Sequence, residues 1–165
     1  MKLFSQDPAV KRLRLSNPIH FLALGFGSGL AAKAPGTFGT LAAVPLYLLM
    51  CHLSLPIYLL LTLFSVVIGV YICDKAAKDM QVHDHGAIVW DEVAGLLITM
   101  IAAPAGLLWL VVGFILFRFF DIIKPWPIRW LDAKVHGGFG IMIDDVLAGV
   151  FAAICLQIAV YTFGA

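Results

Sequence analysis

The sequence predicts an all-α fold: a polytopic membrane bundle of about five transmembrane helices, preceded by a short N-terminal interfacial or re-entrant helix. Two observations carry this expectation. The 165 residues are 62% hydrophobic and only 13% charged, with a mean hydropathy of +0.98, whereas soluble domains carry about 25% charge. The charges also cluster: no Lys, Arg, Asp or Glu occurs between Lys33 and Asp74, between Glu92 and Arg118, or from Val146 to the C-terminus. The length suits a single domain over 1–165, with 1–16 as a basic leading segment. A net charge of +1 excludes the broad basic surface of a nucleic-acid binder, and hydrophobicity at this level excludes disorder. Cys51, Cys73 and Cys155 lie in apolar stretches without paired spacing, so no disulfide framework is expected.

Taken in order, the basic start with Lys2, Lys11, Arg12 and Arg14 leads into an apolar stretch at 19–32. Gly25, Gly27 and Gly29 interrupt that stretch and Pro35 follows it, so it reads as a short interfacial or re-entrant helix rather than a cleaved signal peptide. The first charge-free run holds two spans, 37–50 and 57–73, separated where His52, Ser54 and Pro56 break the apolar pattern. The second run turns at Pro104, Ala105 and Gly106, making a hairpin. A first arm starting only after Glu92 would rise about 16 Å, half of the ~30 Å hydrocarbon layer. That arm is therefore expected to begin near Gly86, and the return arm to reach about Ile123, where Pro125 and Pro127 stop it. The last span covers 145–163. The turns at 51–56 and 104–106 and the C-terminal end carry no formal charge, while the N-terminal region, 74–92 and 118–145 hold the charges. The positive-inside rule puts the charged side in the cytoplasm.

Three acidic segments meet on that side. VWDEVAGL carries Asp91 and Glu92, and FRFFDIIKPWPIRW spaces Arg118, Asp121 and Lys124 by three along one helical face. HGGFGIMIDDVLAGV reads as a glycine-rich loop leading to Asp144 and Asp145 at the head of the last helix. Macrodipole capping accounts for that last pair but not for the other two segments. Five carboxylates from three helices would repel one another unless a cation neutralised them. Oxygen-only ligands favour Mg²⁺, Ca²⁺ or Mn²⁺. The metal-ligand candidates are Glu92, Asp121, Asp144 and Asp145, with Asp91 or His83 to accept a proton from water. The alternative is capping plus ion pairs, such as Glu92 with Arg118.

Arg118, Lys124, Arg129 and Lys33 are candidate phosphate-binding cations, with Lys134 nearby. A metal at headgroup depth beside such cations suits a phosphorylated lipid. Phosphatase motifs with a covalent nucleophile are absent, which leaves metal-assisted attack by water. His83, in the triplet His83, Asp84, His85, equally suits a plain interfacial loop, and His20, His52 and His136 stand alone and read as structural. The glycines at 25, 27, 29, 36 and 39 could expose backbone amides to an anion or let membrane helices pack closely. Trp90, Trp126 and Trp130 read as an interfacial aromatic belt. A small transporter or proton-coupled channel is the alternative from a different class, with the carboxylates as ion sites. It would need a polar route across, which the uncharged half of every span does not offer.

The succession SNPIHFLALGFGSGL, APGTFGTLAA, AKDMQVHDHGAIVWDE, FRFFDIIKPWPIRWLD and VHGGFGIMIDDVLAGV, in order from Ser16 to Val150, resembles the bacterial phosphatidylglycerophosphatase A family. The resemblance implies a multi-pass, Mg²⁺-dependent lipid phosphatase of the inner membrane, with its site and N-terminus on the cytoplasmic side. Its implied substrate is phosphatidylglycerophosphate, converted to phosphatidylglycerol in phospholipid biosynthesis. The resemblance places Asp91, Glu92, Arg118, Asp121, Lys124, Asp144 and Asp145 on the family's acidic and basic motifs.

Overall fold

A computed structural model describes residues 7–163, and every regular element among them is a helix. Lys2, counted above with the basic start, lies outside the described residues. After a 3-10 turn at Val10–Arg12, α1 (Pro18–Ala23) opens with Pro18 at its first position and the Asn17 side chain accepting from the Ile19 amide at 2.9 Å. The chain then enters a 3-10 stretch, Gly25–Leu30, kinked by left-handed Phe26 and Gly27. The expected N-terminal helix is thus one short helix plus a glycine-bent turn.

Helix α2 (Pro35–Met50) and α3 (Leu55–Met80) follow the two predicted spans. The second continues to Met80 because Lys78 with Asp74 (2.6 Å) and Lys75 with Asp79 pair one turn apart along its last turns. The hairpin arms are α4 (Trp90–Thr99) and α5 (Leu107–Ile123); α6 (Ile128–Asp132) is a single short turn, and α7 (Gly137–Phe163) closes the bundle. Two of these helices, α3 and α7, are long and apolar enough to cross a membrane unaided. Their surroundings fit an apolar solvent: Leu49, Leu60, Leu63, Phe64, Val67, Leu107, Ile115, Ile158 and Tyr161 are all at least 60% exposed.

Three expectations are corrected. The first hairpin arm does not begin near Gly86 but at Trp90, and its ten residues rise only about 15 Å. The span argument assumed a helix facing lipid along its length. Instead α4 is the central element: Val93 to Thr99 are all buried, with α2, α3, α5 and α7 packed around it. Its lead-in from Ala87 to Val89 is non-helical and buried, and the Val89 amide is satisfied by the Ala23 carbonyl at 2.8 Å. Irregular backbone at membrane depth is tolerated where protein covers it.

The glycine-rich segment before Asp144 is not a loop but the start of α7. Gly137 takes a left-handed φ of 73°, and a side chain on Gly138 would strike the Val70 carbonyl. Glycine there lets α7 begin directly against α3, whose Asp74 carboxylate accepts the Gly138 amide at 3.2 Å. Trp90, finally, is buried rather than interfacial, its indole N–H bonded to the Ser65 carbonyl at 3.1 Å. Trp126 and Trp130 are exposed.

The turns at 51–55 and 100–103 adjoin around a cavity of about 110 Å³, so the two uncharged turns share one end of the bundle. The start of α4, with Asp91 and Glu92, and the end of α5, with Asp121, lie at the other.

Candidate active site

Asp91 and Glu92 occupy the first turn of α4, where the helix dipole favours negative charge. Asp144 and Asp145 sit two turns inside α7, at 7% and 2% exposure. The dipole effect fades within the first turn, so capping does not explain this pair. Asp121 and Arg118 lie on α5, and Lys124 at its end adopts a left-handed cap (φ 46°).

These residues converge. Asp91, Glu92 and Asp145 each offer an oxygen within 4.8 Å of the others, the only such trio of ligand groups among the described residues. Asp121 interacts with Asp145 and pairs with Arg118 at 2.5 Å. Arg118 also reaches Glu92 at 3.8 Å and the Thr40 hydroxyl at 3.4 Å. Lys124 Nζ is held between Asp144 at 2.6 Å and Asp132 at 3.1 Å. Burial alone works against its ammonium form, but the two carboxylates outweigh that and raise its pKa above the ordinary lysine value.

Five carboxylates face two cations here, so the cluster is short of positive charge. Asp91 Oδ1, Glu92 Oε2, Asp144 Oδ1, Asp145 Oδ2 and Arg118 Nε are buried without a hydrogen-bond partner. Each such orphan costs about 1–3 kcal/mol. Orphaned oxygens converging from two helices are a donor set that suits a hard dication, and Arg118 Nε is a donor left for an anion.

The grouping differs in detail from the sequence reading. Asp91, singled out there for proton transfer, belongs to the tightest trio, while Asp121 and Asp144, singled out as ligands, also hold Arg118 and Lys124. His83 packs edge to face against His136 in the lining of a separate pocket rather than joining the trio. Lys33 and Arg129 are exposed, the one in the turn before α2 and the other on α6. Thr40 and Asp132 were not singled out, and Gly36 was read only as one of the glycines that expose amides or allow close packing. Gly36, in the first turn of α2, is pressed against the site: a Cβ there would collide with Glu92 Oε1 and come within 3.1 and 3.2 Å of the Arg118 guanidinium nitrogens. The repeated glycines from 25 to 39 were the available signal. Gly25, Gly29 and Gly39 pack against Ala87 and Val89, so close approach is their observed role.

The family model described as Phosphatidylglycerophosphatase A matches residues 21–160, a segment that holds all five of these carboxylates. The chain belongs to the phosphatidylglycerophosphatase A family. Phosphatidylglycerophosphatase A of Escherichia coli (strain K12) is 54% identical over 149 residues, covering 90% of this chain and 87% of the relative. Phosphatidylglycerophosphatase A of Haemophilus influenzae is 50% identical over 152 residues, covering 91% and 93%. No solved structure matches the chain.

Proposed function

We infer that this chain hydrolyses phosphatidylglycerophosphate to phosphatidylglycerol and inorganic phosphate, a step of phospholipid synthesis. The observation that carries the inference is the carboxylate cluster, short of positive charge and flanked by Arg118 and Lys124, in a member of this family.

We assign Mg²⁺ to Asp91, Glu92 and Asp145, with Asp121 and Asp144 beside them. When bound, such an ion polarises a phosphoryl oxygen and makes a nearby water more acidic. The chain's own residues do the rest. Arg118, oriented by Asp121 and Glu92, has a buried Nε free to meet a phosphate oxygen as negative charge develops there. Lys124, fixed by Asp144 and Asp132, adds a second positive charge. Asp91 Oδ1, buried without a partner, is positioned to take the proton of the attacking water as its oxygen bonds to phosphorus, and to pass that proton to the glycerol oxygen, which departs as the hydroxyl of phosphatidylglycerol. The exposed apolar flanks keep the acyl chains in lipid.

The topology we propose is five crossings of the bacterial inner membrane. The short α4 is completed by its buried lead-in and by the turn at 100–106, with the carboxylates and the N-terminus facing the cytoplasm. Single cysteines replacing Leu53 and Ala105 should then react with an impermeant reagent from outside, and one replacing Lys134 only after lysis; the reverse pattern would overturn this orientation.

The decisive assay is phosphate release from phosphatidylglycerophosphate in mixed micelles by purified protein, with Mg²⁺, with EDTA, and with Mg²⁺ restored. Release that stops with EDTA and returns with Mg²⁺ is expected. Folded protein that releases no phosphate with any divalent cation would overturn the hydrolase reading, and release indifferent to EDTA would overturn the metal assignment.

A further inference from the structure

Helix α2 packs on α4, and α5 packs on α4 and α7, but α2 and α5 do not pack closely along one another. An apolar crevice of about 260 Å³ opens between them, walled by Leu41 and Val44 of α2 and by Leu107, Leu110, Val111 and Phe114 of α5. Leu41 and Val111 are half exposed, so the crevice faces sideways into lipid.

Its upper end runs into the carboxylate site. On α5, Leu107, Val111, Phe114 and Arg118 follow one another at helical spacing and share one face. On α2, Gly36, Thr40 and Val44 do the same. At the junction Arg118 Nη1 meets the Thr40 hydroxyl at 3.4 Å, Arg118 Nε is buried without a partner, and Gly36 abuts Glu92. Descending α5 from Arg118, Phe114 is reached after about 6 Å and Leu107 after about 16 Å.

We propose that this crevice holds one acyl chain of a phosphorylated lipid whose phosphate sits at Arg118 and the carboxylates. The occupant follows from the order of the groups. A guanidinium with a spare buried donor is followed, down the same helix face, by purely apolar walls, and a phospholipid carries an anionic head and a hydrocarbon tail in that order. A helix from a second copy would match the walls but bring nothing for Arg118 Nε. The proposal rests on the lipid-phosphatase reading of the carboxylate site and adds to it the route by which substrate enters.

Lipid tails are as apolar as leucine, so moving a chain from the bilayer into the crevice yields little hydrophobic free energy. The phosphate supplies affinity, through charge-assisted bonds to Arg118. The crevice supplies direction: a chain lying between α2 and α5 makes the head arrive from one side and fixes where its phosphorus stops against Asp91, Glu92 and Asp145. Substrate then reaches the site without leaving the membrane.

The test is photocrosslinking of the full chain in detergent micelles with Mg²⁺. The probe is a diacyl glycerolipid ending in a phosphonate, which cannot be hydrolysed, with a diazirine midway along one acyl chain and present at low mole fraction. Adducts should concentrate on 41–44 and 107–114. They should be lost on adding an excess of unlabelled phosphonate lipid and kept with an equal excess of phosphatidylcholine. L41W and V111W, which fill the crevice from either wall, should lose the adducts and raise KM for the long-chain substrate by about tenfold or more, with kcat within about twofold, the pattern of lost ground-state binding. L63W, on the exposed flank of α3, should keep both constants at wild-type values.

Adducts spread evenly over the lipid-facing helices, or undiminished by the phosphonate competitor, would mean that bulk lipid fills the crevice and would overturn the proposal. A wild-type KM in both L41W and V111W would do the same. So would a dimer, seen by native mass spectrometry, that L41W and V111W disperse while neither segment takes up the probe, since a second copy would then lie there. Crosslinking reads binding without turnover: protein that captures the probe in the crevice yet releases no phosphate would sink the hydrolase reading alone, and turnover without capture would sink only the crevice.

Discussion

Gly36→Ala separates catalytic geometry from stability. The new methyl group would overlap Glu92 Oε1 and crowd both Arg118 nitrogens at 3.1 and 3.2 Å. Ordinary carbon contacts are about 3.5–4.0 Å, so the Glu92 carboxylate must retreat by roughly 1 Å. A displacement of that size at a reacting centre can cost about 10²-fold in rate, or roughly 2.7 kcal/mol of transition-state stabilisation.

Stability should move the other way or not at all. Gly36 lies in the first turn of α2 with ordinary helical backbone, and alanine gains up to about 1 kcal/mol over glycine within a helix. The expected signature is a Tm equal to or above the wild type, with phosphate release lower by about a hundredfold. Gly86→Ala is the control, since the nearest atom to its new methyl is Pro35 Cγ at 3.9 Å; it should keep wild-type activity. Activity of Gly36→Ala within about threefold of the wild type would refute the placement of Glu92 and Arg118 at the reacting centre.

Asp145→Asn removes one charge from a buried, mutually repelling set; turnover should fall by about 10³-fold or more while Tm holds or rises, and a drop in both would assign Asp145 a structural role. Lys124→Met tests the ion pairs with Asp144 and Asp132. Because those carboxylates raise the folded pKa of Lys124 above its ordinary 10.5, its contribution to stability should be fully present below that value. It should be lost only as pH rises through the folded value, so the Tm gap between wild type and variant should be flat from pH 6 to about 9; a gap closing near neutrality would contradict the pairing. Gly95→Ala drives a methyl into the Phe117 ring and against the Asp145 carbonyl at 3.1 Å. Overpacking of this kind costs about 1–3 kcal/mol, readable as a lower melting temperature in detergent, and a neutral result would mean that α4 and α7 can separate at that point.

The sequence by itself determined the helices and the polarity of the molecule. Long charge-free runs are stable in lipid as apolar helix, which satisfies every backbone N–H and C=O within the segment. Pro18, Pro35 and Pro125 punctuate the chain wherever they fall, and the charges of Asp91, Glu92, Arg118, Asp121, Lys124, Asp144 and Asp145 mark one end without reference to packing. Tertiary structure decided which helix is innermost and which carboxylates touch. In an apolar solvent the faces toward lipid and toward protein are equally hydrophobic, so periodicity could not show that α4 is short and wholly enclosed, or that Trp90 points inward to Ser65. The start of α7 depends on Gly138 fitting against Val70 and on a cap lent by Asp74 from α3, partners far away in sequence. The same holds for Lys124 between Asp132 and Asp144, and for His83 against His136. Local sequence sets what each backbone segment can be, while contacts between segments fix where its few polar atoms converge.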